Sequence, residues 1–134
     1  MATVFADSFY FFALGNCNDP AHAKALAFSQ SYTGRVVTTG FVLMEFVDGC
    51  ASPPHRRAIA VQALAELQSN PDVFIVPCSE TLFREGIDLF EHRPDKEWSL
   101  TDCVSFVVMT RESIQEALTG DHHFEQAGFV ALLK

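Results

Sequence analysis

The chain is predicted to be an α/β protein: a short parallel sheet of about five strands with helices on both faces. Three observations lead there. Short apolar runs alternate with longer segments whose apolar residues recur at helical spacing. Residues that start helices (Asp19, Thr39, Ser79, Ser99) precede several of those segments, and Gly34 and Pro94 follow two of them. No stretch is repetitive, low in complexity or linker-like, so one domain over residues 1–134 is expected.

Thr3 to Asp7 reads as the first strand, and Ser8 to about Gly15 as a short, very apolar helix. Asp19 is the expected N-cap of a second helix, with Pro20 in its first turn. Gly34 stops that helix before a strand around Arg35 to Thr38. Thr39 opens a third helix, which carries Glu45. Ser52-Pro53 opens a fourth, on which Ala58, Val61, Leu64 and Ala65 share a face. Val73 to Pro77 is a short β-type run. Ser79 begins a helix with Leu82, Phe83, Gly86, Ile87 and Phe90 at helical spacing, and Pro94 ends it. Ser99 opens an apolar helix reaching about Arg111. Its Leu100, Cys103, Val104, Val107 and Val108 leave little polar surface, so it should be central. Glu116 to Thr119 reads as a strand, Asp121 to Ala127 as a turn or one short helix, and Phe129 to Leu133 as the last strand.

With 134 residues, 49% of them apolar and thirteen of them phenylalanine, the chain can bury one sizeable core. No stretch is long and apolar enough to span a bilayer. The start, Met-Ala-Thr-Val-Phe-Ala-Asp, lacks the pattern of an export signal. Cys17, Cys50, Cys78 and Cys103 form no Cys-x-x-Cys pair, so four reduced thiols in the cytoplasm are expected. Their apolar or small neighbours mark them as core thiols. The net charge of -8 argues against a broad basic face for nucleic acid. A polyanionic substrate would then need metal ions and a local basic cluster, for which Arg35, Arg56, Arg57, Arg84, Arg93 and Lys96 are candidates.

The chemistry points to four acids. Asp7 ends the first apolar run, and Glu45 lies in the apolar stretch from Phe41 to Phe46. Asp102 sits in Trp98-Ser-Leu-Thr-Asp102-Cys-Val-Ser-Phe106, and Asp121 in Thr119-Gly-Asp121-His-His-Phe124. Buried carboxylates are costly unless something positive joins them. A hard divalent cation such as Mg²⁺ or Mn²⁺ takes oxygen ligands, and it can activate water against a phosphodiester. In an open parallel sheet, ligands bind beyond the carboxyl ends of the strands. Asp7 and Asp121 fall at or just past such ends, and Asp102 falls in the first turn of a helix starting at the same edge. Glu45 lies about two turns into its helix by the ~3.6-residue period.

Each acid also has a plain structural reading. Ser99 and Asp102 stand at capping-box spacing. Asp7 and Asp121 can cap helices or turns, and Asp48 reads as a solvated helix residue. His122 and His123 are adjacent, so their side chains are expected to diverge, against a two-His metal site; one can serve in substrate contact or proton transfer. No zinc-type Cys/His spacing and no phosphate-binding glycine loop occurs. Ser8, Ser105 and Thr119 are candidates to orient carboxylates; for Ser105 a hydroxyl bonded to backbone is an equal alternative.

Together these motifs resemble the PIN domain, in particular the small VapC-like toxins of bacterial and archaeal toxin–antitoxin systems. The segments that carry the resemblance are Asp7-Ser8, Asn18-Asp-Pro-Ala-His22, Thr38-Thr-Gly-Phe-Val-Leu-Met-Glu45, Trp98 to Phe106, and Leu118 to Phe129. The resemblance implies a Mg²⁺- or Mn²⁺-dependent endoribonuclease with Asp7, Glu45, Asp102 and Asp121 as its acidic quartet. It implies Ser8, Ser105 and Thr119 as supporting polar residues. It also implies a homodimer, an RNA substrate and a cognate antitoxin that covers the site. Gly40 departs from the pattern, since many relatives carry a polar residue such as Asn there. Two other classes use the same acids: a non-catalytic RNA- or protein-binding module, and a metal-dependent DNA nuclease or phosphatase.

Overall fold

The computed structural model describes residues 2–134. In chain order the elements are β1 (Thr3–Ala6), α1 (Ser8–Gly15), α2 (His22–Ser31), β2 (Arg35–Thr39), α3 (Gly40–Gly49) and α4 (Pro54–Ser69). Then come β3 (Val73–Val76), α5 (Glu80–His92), α6 (Leu100–Arg111), β4 (Glu116–Leu118), α7 (His122–Gln126) and β5 (Val130–Ala131). The sheet has five strands in the order β3-β2-β1-β4-β5, and every pairing is parallel. The predicted α/β class and strand number therefore hold.

The order explains where the site lies. From β1 the chain steps outward through β2 to β3, then crosses to the other side of β1 for β4 and β5. Crossovers between parallel strands are right-handed. That rule sends α1 to α4 over one face and α5 to α7 over the other. The direction reverses between β1 and β4, and a crevice opens beyond their carboxyl ends. Phe5 and Ala6 of β1 pair with Ala117 and Leu118 of β4, so Asp7 and Thr119 leave the sheet side by side. Thr38 Oγ1 donates to the Ala6 carbonyl at 2.8 Å and pins the end of β2 to the end of β1.

β1 is central, and its Val4, Phe5 and Ala6 are all buried. Covered on both faces, it reads as an unbroken apolar run rather than an alternating one. α6 is as central as its composition predicts: Cys103, Val104, Phe106, Val108 and Met109 are buried. It packs closely on α5 because Gly86 has no side chain. A Cβ there would lie 2.5 Å from Val104 Cγ2. Midway along α6, Phe106 meets Trp98, Phe124 and Phe129 at centroid distances of 5.0, 4.9 and 5.7 Å. Trp98 Nε1 donates to Gln126 Oε1 at 3.0 Å, which ties the approach to α6 to α7.

Several local expectations fail, each for a physical reason. Asp19 does not cap α2. Its Oδ1 accepts from the Ala21 N–H at 2.8 Å, and the helix starts only at His22. The Asx turn with Pro20 has used the residue before the helix begins. On α4, Ala60 is buried and Ala63, Leu64 and Leu67 pack on the core, while Ala58, Val61 and Ala65 face solvent. The helix is alanine-rich on more than one side, so spacing alone fits two faces. On α5, Leu82 and Gly86 are buried and Leu89 packs on the core, but Phe83 and Phe90 are exposed. All four cysteines are free thiols as expected, yet only Cys50 and Cys103 are core; Cys17 and Cys78 are exposed. β5 is shorter than expected, although Leu132 N–H and Leu133 N–H still bond to the carbonyls of Ala117 and Thr119. Among the described residues no helix is long and apolar enough to cross a membrane.

Candidate active site

Asp7, Glu45, Asp102 and Asp121 line one open cleft of about 360 Å³ at the switch point of the sheet. Four different elements deliver them. Asp7 follows β1 and stands as N-cap of α1, in extended conformation, with no side-chain cap bond. Its carboxylate is therefore not consumed by the helix. Glu45 projects from the middle of α3, whose start Thr39 caps by accepting from the Val42 N–H. Asp102 is in the first turn of α6, and Asp121 is N-cap of α7. Asp7 and Asp102 are buried, at 5% and 8% exposure, while Glu45 and Asp121 are half-buried.

Each carboxylate has one oxygen held by the protein. Thr119 Oγ1 donates to Asp7 Oδ2 at 2.9 Å. Ser8 Oγ donates to Glu45 Oε1. Asp102 Oδ2 accepts from the Ser99 N–H at 3.1 Å and faces His123 Nδ1 at 3.1 Å. Asp121 Oδ1 accepts from the His123 N–H at 2.9 Å. Thr119 Oγ1 also accepts from the Asp121 N–H at 3.1 Å, so one hydroxyl links two of the acids. The second oxygen of each group remains for a ligand. Asp102 thus takes part in the capping box with Ser99 and in the cup at once, because the box engages only Oδ2.

The electrostatics show the strain of gathering these groups. Burial pushes the Asp7 carboxyl up to about 7, against the bond from Thr119 that lowers it; Asp102 and Glu45 add to the rise. Asp102 is also raised, first by burial and then by Asp121, while the Ser99 N–H and His123 pull it back. A dication reverses this balance by favouring every carboxylate in its charged form. Glu97 adds a fifth acid to the lining, and no lysine or arginine lines the cleft among the described residues. The basic residues singled out in the sequence lie elsewhere. An uncompensated cup of this kind repels phosphate, so a cation is the group that fits it.

Other candidates sort by geometry. Ser8 and Thr119 bond directly to the acids. Ser105 is buried, and its hydroxyl donates to the Thr101 carbonyl at 2.9 Å, within its own helix. Asp48 is exposed. His122 and His123 do not diverge; their ring centroids are 4.4 Å apart. Gly40 stands against Cys78, whose Sγ would lie 2.6 Å from a Cβ, so any side chain there requires Cys78 to move. No local sequence signal marks Glu97 or the anchoring role of Thr38. Glu97 has no periodic partner, and Thr38 shows its function only across strands.

A five-stranded parallel sheet with an oxygen-lined acidic cup at its switch point defines a class of α/β domain built to gather carboxylates at one edge. The PIN domain model matches residues 4–130, and the chain belongs to that family. It is 30% identical over 131 residues to the 23S rRNA-specific endonuclease VapC20 of Mycobacterium tuberculosis, covering 95% of each chain. The crystal structure of that Mycobacterium tuberculosis protein, described as a Sarcin-Ricin loop cleaving toxin, superposes with a TM-score of 0.83 at 28% identity, over 95% of this chain and 96% of the other. FitAcB from Neisseria gonorrhoeae shares the fold, with a TM-score of 0.66 at 15% identity over 96% of this chain and 94% of the other.

Proposed function

We propose that the chain is a Mg²⁺- or Mn²⁺-dependent endoribonuclease, the toxin of a toxin–antitoxin pair, acting in the cytoplasm. The observation that carries the reading is the convergence of four carboxylates, each with one oxygen held by a protein donor and one left for a ligand. Kinship with a 23S rRNA-specific endonuclease over 95% of the chain makes ribosomal RNA the first substrate to test.

Asp7, Asp102 and Asp121 would hold one divalent ion, with Glu45 completing the site or holding a second. Such an ion supplies activated water and neutralises phosphate charge. The chain supplies the order. Thr119 and Ser8 fix which oxygens of Asp7 and Glu45 face the cleft. Ser99 and His123 do the same for Asp102. Holding the ligands in place before substrate arrives removes reorganisation from the reaction. Ser105 steadies the first turns of α6 through its backbone bond. The exposed apolar side chains Ile59, Val61, Phe83 and Phe90 offer surface that a homodimer or an antitoxin would cover.

The deciding experiment incubates purified protein with ribosomal RNA in Mg²⁺ or Mn²⁺, with and without chelator, beside Asp7→Asn and Asp102→Asn. Discrete cleavage by the wild type alone, abolished by chelator, is expected. Cleavage by a folded Asp7→Asn variant, or cleavage indifferent to chelator, overturns the reading.

A further inference from the structure

We propose that Asp121, His122 and His123 form a second metal site, selective for a borderline ion of the Zn²⁺ class, whose occupancy inhibits the acidic cup. The inhibition rests on the reading of Asp121 as a member of that cup; the site itself does not.

Adjacent histidines ordinarily point apart, and here they do not. The rings lie 4.4 Å apart at 51°. Asp121 Oδ1 is 3.6 Å from His122 Nδ1 and 3.5 Å from His123 Nδ1. One ligand atom from each of the three residues falls within a 4.8 Å set. A tetrahedral ion with bonds of about 2.0–2.1 Å keeps its ligands roughly 3.3–3.5 Å apart. Two edges of such a tetrahedron are therefore already close to length. Three protein ligands leave the fourth position to water.

The donor set separates the two sites chemically. The cup offers only carboxylate oxygens, which suit Mg²⁺ and Mn²⁺. Two imidazole nitrogens with one carboxylate suit Zn²⁺, Ni²⁺ or Cu²⁺, which bind such ligands more tightly than Mn²⁺ does. His122 has a side chain 64% exposed, so the ion has a path from solvent.

The sites compete through shared residues, Asp121 and His123. His123 Nδ1 faces Asp102 Oδ2 at 3.1 Å in the present arrangement. Turning that nitrogen to an ion with Asp121 and His122 ends its contact with Asp102. It also ties Asp121 Oδ1 to that ion, on the same carboxylate whose other oxygen faces the cup. The cup loses one positioning contact, and its own cation meets the charge of the second ion across the shared Asp121 carboxylate.

The test uses the full chain and His122→Ala, since His122 does not line the cleft. Zn²⁺ affinity is measured by titration calorimetry, with Co²⁺ as the spectroscopic probe. The wild type should bind one Zn²⁺ at this site and give the visible bands of tetrahedral Co²⁺. His122→Ala should lose at least about tenfold in Zn²⁺ affinity, the scale on which even outer-shell partners act, with Mg²⁺ affinity unchanged. Mg²⁺-supported RNA cleavage should be inhibited by Zn²⁺ in the wild type and resist it in the variant. Equal Zn²⁺ affinity in the two proteins, or octahedral Co²⁺ in the wild type, overturns the site. Equal inhibition of both overturns the competition. A wild type that cleaves no RNA defeats the ribonuclease reading while the affinity and Co²⁺ data still decide the metal site.

Discussion

Replacing Asp7 with Asn should stabilise the metal-free protein at pH 8 while ending its activity. Asp7 titrates at about 7 in the fold against 3.8 for an unperturbed carboxyl, mainly because it is buried. The folded state therefore holds this proton more tightly than the unfolded chain does. Stability is fullest below the lower value and falls as pH rises toward the higher one. The gap of about three units corresponds to roughly 4 kcal/mol, at 1.36 kcal/mol per unit, as the upper limit of that loss. Asn matches the shape of Asp, carries no charge and can still accept from Thr119 Oγ1. Its new N–H group, if left without an acceptor, costs about 1–2 kcal/mol. The net gain at pH 8 is then about 2 kcal/mol, or roughly 5–10 °C in Tm for a domain of this size. At pH 5 the folded carboxyl is protonated while the unfolded one, at 3.8, is still ionised, so about 1.6 kcal/mol of the loss remains; set against the amide cost, the difference between the two proteins falls to near zero. Thermal melts of both proteins in chelator at pH 5, 6.5 and 8 measure this directly. A Tm difference that does not change with pH, or a variant less stable than wild type at pH 8, refutes the reasoning.

Three further outcomes follow from the same geometry. Millimolar Mg²⁺ or Mn²⁺ should raise the wild-type Tm at pH 8 by mass action, and the rise should shrink sharply in Asp7→Asn; calorimetric melts without any shift in the wild type would remove the case for a cation in the cup. Thr119→Val deletes the donor to Asp7 and the acceptor for the Asp121 N–H. Its expected effects are about 1–3 kcal/mol of lost stability in urea and a roughly 10–100-fold loss of Mn²⁺ affinity by titration; unaltered affinity would show that Thr119 does not order the acids. Gly86→Ala places a Cβ 2.5 Å from Val104 Cγ2 and should cost about 1–3 kcal/mol by overpacking the α5–α6 contact. Urea melts check the cost, and turnover per folded molecule should match wild type because the contact lies outside the cleft.

The legible part of this molecule is the part written in short-range signals. β1 is close to an unbroken apolar run and α6 is mostly apolar around Asp102 and Ser105, and each is as central as it reads. Thr39, Ser79 and Ser99 were recognisable as caps, and each side chain accepts the predicted helix N–H. Where two local signals competed, reading failed. Asp19 suits a cap or an Asx turn, and the turn won. α4 presents two apolar faces at helical spacing, and only the packing of α3 and β3 selects Ala60, Ala63, Leu64 and Leu67. Phe83 and Phe90 fit a core stripe by period but stand on the outer side of α5.

The sequence by itself determined the order and type of the elements and placed acids at element ends or on an apolar helix face. Caps, turns and periodicity act within a turn or two of the backbone, so they can be read in one dimension. Only the tertiary structure joined Thr119 to Asp7 across 112 positions and Ser8 to Glu45 across 37. It also brought the rings of His122 and His123 together beside Asp121. Those contacts depend on strand order, on the reversal between β1 and β4 and on side-chain rotamers, which no local pattern of residues encodes.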